Sequence, residues 1–355
     1  MTKILALYLP QFHETPENNK WWGKGFTEWT NTKKAKPFFR NHYQPRTPLN
    51  NNFYDLTKPD VMPAQVKLAK TYGVNGFCFY HYWFDGKQML HKPVQDFLNR
   101  KEIDFDFCLS WANDSWNKAW DGEEREILIK QEYGEELNWQ KHLEYLMPFF
   151  KDQRYIKVKN RPVFFVYRSV GFDRMNEMME FWNKILKENG FNGIHLVETL
   201  NSFQNKPSCS ISKAVFLFEP MMTLRNNISL KNRIIGIISS RLTRNILNTD
   251  NYDRVWTEII RNANALKFPE KKIYKGAFSD WDNSPRKGRK GLIIKGASPQ
   301  KFGKYLSKLY ALAKQDNDEF LIINAWNEWA EGCYLEPDEK FKYDYLEQIK
   351  NLSTV

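Results

Sequence analysis

The chain has 355 residues, enough to bury a full core as one large barrel or two ordinary domains. Its apolar content of 42% marks it as globular, and it has no 18-residue apolar run of the kind that spans a membrane. The formal net charge of +11 favours an anionic partner such as nucleic acid, acidic glycan or phosphate-bearing lipid, although the charge is spread out and its densest runs are only Lys33-Lys-Ala-Lys36 and Arg286-Lys-Gly-Arg-Lys290.

The N-terminal stretch Met1-Thr-Lys-Ile-Leu-Ala-Leu-Tyr-Leu-Pro is too short for a signal sequence and runs straight into polar residues. It predicts a first strand and an unexported, cytoplasmic protein. Cys78, Cys108, Cys209 and Cys333 have no metal-ligand spacing and suit a reducing compartment as small core fillers. There is no HExxH, GxGxxG or GxxxxGK[ST] run, so neither a metal nor another cofactor is expected.

Taken in chain order, predicted strands fall at residues 3–10, 74–83, 104–112, 161–169, 192–200, 213–220, 272–281 and 320–326. Several are apolar on consecutive positions, as strands of a buried parallel sheet are. Segments of helical period lie between them, for example 61–72, 135–150, 174–189, 254–266 and 301–315. Eight strands alternating with helices over the whole chain predict one α/β domain, a (β/α)8 TIM barrel.

Two connections exceed what a plain barrel needs. The first, residues 11–55, follows strand one and holds Trp21, Trp22, Glu28 and Trp29, which suits a wall over the barrel mouth. The second, residues 221–250, is an insertion after strand six. Its segment 224–244 is basic and apolar with almost no acid, and reads either as a helix packed on the barrel or as a peripheral membrane contact.

Of the thirteen tryptophans, ten fall at strand ends or in loops of one rim, and only Trp139, Trp182 and Trp256 fall in predicted helices. Indoles gathered on one rim suggest platforms for flat apolar faces such as those of sugar rings. Nucleic-acid stacking is the rival, but the chain has no nucleic-acid module or basic helix, and a nucleic acid is not the expected partner. Polar residues share that rim: His81, Tyr82 and Trp83 after strand two, Trp111, Asn113 and Asp114 after strand three, and Tyr167 and Arg168 after strand four. Glu219 follows strand six, and Asp280, Trp281 and Asp282 follow strand seven. Each has an ordinary reading beside the ligand-facing one: a turn cap for Asp114, an Asx-turn for Asp282, a structural ion pair for Arg168. Asp280-Trp-Asp282 also has the DxD shape of some metal-dependent glycosyltransferases.

The last segment carries the chemistry. Residues 320–323 are apolar, and the chain then turns to Asn324, Trp326, Asn327, Glu328, Trp329 and Glu331, closing at Glu336. On a continuing strand Glu328 and Glu331 would point to opposite faces. If the chain curls at Ala330-Glu331-Gly332, both face one pocket, the arrangement that glycoside chemistry uses for acid and base or nucleophile. Burial among Trp326, Trp329 and a neighbouring carboxylate predicts Glu331 as the protonated partner and Glu328 as the ionised one.

These motifs resemble a known family. Tyr8-Leu-Pro-Gln-Phe-His13, Trp21-Trp-Gly-Lys-Gly-Phe-Thr-Glu-Trp-Thr-Asn31, His42-Tyr-Gln-Pro45, Gly76-Phe-Cys-Phe-Tyr-His-Tyr-Trp-Phe84, Trp111-Ala-Asn113, Trp281-Asp-Asn-Ser-Pro-Arg286 and Asn324-Ala-Trp-Asn-Glu-Trp-Ala-Glu-Gly332 are similar to runs in the WbsX-type proteins of bacterial polysaccharide clusters, themselves similar to glycoside hydrolase family 99. The resemblance implies a retaining mechanism on α-mannosides through an anhydro-sugar, with Glu328 as base on the sugar 2-hydroxyl and Glu331 as acid and then base. Ala330 stands where family 99 has histidine. The expected substrate is a bacterial surface glycan, such as O-antigen or capsule, or its glycolipid precursor. A glycosyltransferase and a non-catalytic glycan-binding barrel stand as alternatives.

Overall fold

The computed structural model describes residues 2–117, 126–226 and 247–354. Eight parallel strands form the barrel: β1 (Lys3–Tyr8), β2 (Gly76–Phe84), β3 (Asp106–Trp111), β4 (Arg161–Val166), β5 (His195–Leu200), β6 (Ala214–Leu217), β7 (Lys272–Phe278) and β8 (Phe320–Asn324). Each matches a predicted strand to within three residues at either end. β1 pairs with both β8 and β2, Lys3 opposite Phe320 and Leu5 opposite Gly76, so the sheet closes and leaves no open edge. β2 and β8 are buried along their whole length, the burial expected where side chains meet helices outside and barrel core inside.

Local chemistry sets the helices. Helix Pro299–Gln315 starts where Ser298 accepts from the backbone N–H of Lys301 and Pro299 fills the first turn. Its buried face, Phe302, Tyr305, Leu306, Leu309 and Ala313, repeats at helical spacing and packs on the barrel. Helix Tyr252–Ala265 is capped in the same way by Asn251. Gly276 shows how tightly the sheet is drawn: a Cβ there would lie 1.8 Å from the carbonyl oxygen of Leu217, so no side chain fits between β6 and β7.

The expected alternation lapses once. Residues 201–213, between β5 and β6, cross without a helix. The buried Glu198 carboxylate organises this loop, accepting from Ser169 Oγ at 2.6 Å, Ser208 N at 2.7 Å and Ser212 Oγ at 2.5 Å. The insertion after β6 begins with helix Met221–Asn226, and Asn248–Asn251 then pairs with Leu292–Lys295. Most of the basic segment 224–244 lies outside the described residues, as do Trp120 and Asp121. Among the described residues no helix is long and apolar enough to cross a membrane. The four cysteines are free and buried.

Candidate active site

The long connection after β1 folds into helices Pro16–Trp22 and Glu28–Lys34 and lies against the barrel mouth. The turn after β8 completes the floor beneath it. Asn327–Glu328 and Cys333–Tyr334 form a short antiparallel ladder around the 3-10 turn Trp329–Glu331, so the chain does curl between the two glutamates. Gly332 closes the turn at φ 62°, and a Cβ there would lie 3.0 Å from the Arg46 guanidinium. Asn327 anchors the turn to the end of β1, accepting from Leu9 N at 2.8 Å and donating to Leu9 O at 3.0 Å.

Glu328 and Glu331 both border one cleft of about 540 Å³ at the C-terminal ends of the strands. Arg286, from the loop after β7, holds them together: Nη2 donates to Glu328 Oε2 at 3.0 Å and Nη1 to Glu331 Oε1 at 2.6 Å. The same guanidinium donates to the buried Glu28, from Nε at 2.9 Å and from Nη2 at 2.6 Å. Three carboxylates thus share one cation in a largely buried site. Burial pushes Glu328 up to about 8; Arg286 opposes the rise, and Glu331 and Glu28 add to it. Burial likewise raises Glu28 against the pull of Arg286. Glu328 is the more deeply buried of the two, with its side chain 8% exposed against 20%, so burial favours its neutral form, the opposite direction from the expected ionised Glu328.

The cleft walls are aromatic and hydroxylic. Trp22, Trp116 and Trp281 line it with Phe203, and Tyr80, Tyr82 and Tyr167 project into it from the ends of β2 and β4. Burial holds these three phenols neutral, far above their ordinary range, so they stand as hydroxyl donors and acceptors. Asp114 also lines the cleft, paired with Arg168, which lies over the Phe203 ring at 4.6 Å. The ion-pair reading of Arg168 therefore describes its contacts.

Many of the predicted site residues lie at the same end of the barrel without reaching the cleft. Strand alternation turns His81, Trp83 and Trp111 outward. His81 and His142 meet Nε2 to Nε2 at 2.8 Å, Trp83 stacks on His142 at 4.7 Å, and Trp111 meets His142 edge-on. Asn113 is taken up with Tyr133 and the Arg168 backbone. Glu219 is sealed from solvent and caps the helix at Thr223; burial raises it to about 8. Trp29, Trp326 and Trp329 lie under the floor. Trp29 packs on Trp329 at 5.4 Å and donates to Tyr54 O, while Trp326 Nε1 and Trp329 Nε1 both donate to Glu336, at 3.1 and 2.7 Å. Glu336 also accepts from Tyr54 and Gln65. It is thus a support for the glutamate turn, and burial raises it to about 7.

Asp280 and Asp282 do not form a DxD metal site. Asp280 pairs with Arg46 at 2.8 Å, and Asp282 Oδ2 lies 2.7 Å from His42 Nε2 and accepts from Gln44 at 2.6 Å. Asp282 Oδ1 closes the expected Asx-turn on Ser284 N. Among the described residues no group of three His, Cys, Asp or Glu side chains is placed to hold a metal ion.

This barrel is shared by solved structures of distant sequence. A glycoside hydrolase-like protein superposes with a TM-score of 0.62 at 12% identity, covering 99% of this chain and 93% of its own. An endo-α-mannosidase of glycoside hydrolase family 99 from Bacteroides thetaiotaomicron gives 0.58, also at 12% identity, over 99% and 96%. By sequence, the chain belongs to the WbsX glycosyltransferase family, whose model matches residues 4–349. The uncharacterized protein WxcX of Xanthomonas campestris pv. campestris (strain B100) is 35% identical over 99% of this chain and 49% of its own length. The chain spans about half the length of the curated relatives it matches.

Proposed function

We propose that the chain is a carbohydrate-active enzyme, a retaining glycoside hydrolase or transglycosylase of endo-α-mannosidase type. Its substrate in this reading is a bacterial surface polysaccharide or the lipid-linked precursor of one. The observation that carries this is the pair Glu328 and Glu331 on the floor of one tryptophan-walled cleft, both bound by Arg286. Sugar C–H faces lie on Trp22 and Trp116, and the tyrosine hydroxyls meet ring hydroxyls. Glu331, the more accessible carboxyl, protonates the departing oxygen. Glu328 takes a proton from a sugar hydroxyl, and its raised pKa makes it a stronger base once ionised. The pair needs one proton between them, carried on Glu331 in the reacting complex. Arg286, in contact with both carboxylates, favours the ionised form of whichever has lost it.

Family membership supports a second reading, transfer of a sugar from an activated donor to a glycan acceptor. With Asp280 and Asp282 engaged by Arg46, His42 and Gln44, that reading also draws on the glutamate pair. A screen of bacterial oligosaccharides read by mass spectrometry, with and without nucleotide sugars, tests both. New reducing ends or exchanged glycans from the wild type, absent with Glu331→Gln, support hydrolysis or transglycosylation. Products that appear only with a nucleotide sugar support transfer. No product under any condition contradicts an enzyme.

A further inference from the structure

Among the described residues, the charged side chains at the cleft are paired except at one place. Asp114 is paired with Arg168 at 2.8 Å, and Glu328 and Glu331 are held by Arg286. Lys287, the next residue along, borders the same cleft and is exposed. Among the described residues its ammonium has no carboxylate, hydrogen-bond or ring partner. The turn that follows, Gly288–Lys290, adds Arg289 and Lys290, both exposed. Neighbouring cations rest on aromatic faces and so keep their charge: Arg289 lies over Phe38 at 5.3 Å and Lys295 over Phe39 at 4.0 Å. Lys287 and the adjoining turn therefore carry cations without a carboxylate partner, beside a floor on which Glu28, Glu328 and Glu331 are already bound to Arg286.

A neutral glycan gives an unpaired ammonium at a cleft wall nothing to bind electrostatically. An acidic one does, and the charge also speeds its approach. We infer that the cleft takes an anionic glycan, with a sugar-borne carboxylate or phosphate seated at Lys287 and the adjoining turn Gly288–Lys290. This rests on the reading of the cleft as a glycan site and adds the class of glycan.

The test uses binding to the full chain carrying Glu331→Gln, so that turnover does not intervene. The probes are tetramannuronate and its carboxyl-reduced form, which is the same tetrasaccharide without the charges, together with mannose 1-phosphate and mannose. Calorimetry at low and high salt reads the affinities. The anionic member of at least one pair is expected to bind about threefold to tenfold more tightly at low salt, as one partly exposed charge contact gives, and to lose that margin at high salt. Adding Lys287→Gln should erase the margin, and Lys287→Arg should keep it. A margin for tetramannuronate alone assigns a carboxylate, and one for mannose 1-phosphate alone assigns a phosphate. Equal binding within both pairs, no binding of any probe, or a margin that survives Lys287→Gln overturns the inference. Turnover by the wild type on other glycans would then leave the proposed activity standing, whereas a Lys287-dependent margin without turnover on any glycan would do the reverse.

Discussion

The backbone N–H of Asp282 donates to the carbonyl oxygen of Glu331 across 2.7 Å. This bond ties the loop after β7 to the turn that carries both glutamates. The Asp282 side chain is itself fixed: burial would raise its pKa, but His42, Arg46, Ser284 and Gln44 outweigh that and hold it down to about 2. The long loop after β1, through His42 and Gln44, thereby sets where Glu331 stands.

Gly332 is the weak point of this arrangement. Gly332→Ala places a Cβ in the left-handed region against the Arg46 guanidinium. The backbone conformation alone should cost about 1–2 kcal/mol. Denaturant unfolding should show that loss, and turnover should fall with it, because the displaced turn is the one that carries Glu331. An alanine variant with unchanged stability would show that the turn is free to adjust.

Arg286 should be needed by the fold and, in the proposed function, by the chemistry. Arg286→Met leaves Glu28 buried without its cation and should cost about 3–5 kcal/mol. Adding Glu28→Gln should restore much of the stability but none of the activity, since Glu328 and Glu331 remain without their shared donor. Recovery of both in the double variant would reduce Arg286 to a structural partner of Glu28.

The proposed sharing of one proton by the glutamates implies an upper pH limit. Glu328 is raised to about 8, so below that value the pair keeps a proton, and above it the pair is doubly ionised and has no acid to offer. The value of kcat/KM, which reports the free enzyme, should therefore fall as pH rises through about 8. Any residual activity of Glu328→Gln should lack that descending limb. A wild-type profile still climbing well above pH 8 would contradict the proton count.

The tryptophans divide into two kinds. Trp22 is half-buried on the cleft wall, so Trp22→Ala should weaken glycan binding with little change in stability. Trp326 is fully buried and hydrogen-bonded to Glu336, so Trp326→Ala should cost about 3–5 kcal/mol. Thermal unfolding of both variants separates the two roles, and equal losses would erase the distinction.

That distinction marks the limit of what the sequence shows. All eight strands are legible because each is a largely apolar run bounded by polar loops or helical segments, and the curl at Gly332 follows from its glycine. Gathering the indoles on one rim identifies the right end of the barrel but not which side of the sheet each faces. Trp83 and Tyr82 are neighbours, yet one packs on His142 and the other lines the cleft. Counting by two along β2 from Tyr82 would have found Tyr80 and set aside His81. Arg286 stands in a motif quoted from the sequence, but only the fold brings it to Glu28 and Glu328, 258 and 42 residues away. Phe203 comes from the helix-less loop after β5, where no periodic pattern signals a cleft residue.

The most direct test of the glutamate assignment is the response of two variants to leaving-group quality. Once the glycan screen has defined a substrate, its aryl glycoside provides a leaving group that needs little protonation. Glu331→Gln should slow turnover of the natural glycan by roughly 10²–10⁴-fold, the usual contribution of general acid–base catalysis, and much less for the aryl glycoside. Glu328→Gln should be slowed alike on both, because assistance at the sugar is required in each, and both variants should still bind glycan. Parallel responses from the two variants would contradict the assigned roles, and full activity in both would contradict the placement of the catalytic centre at Glu328 and Glu331.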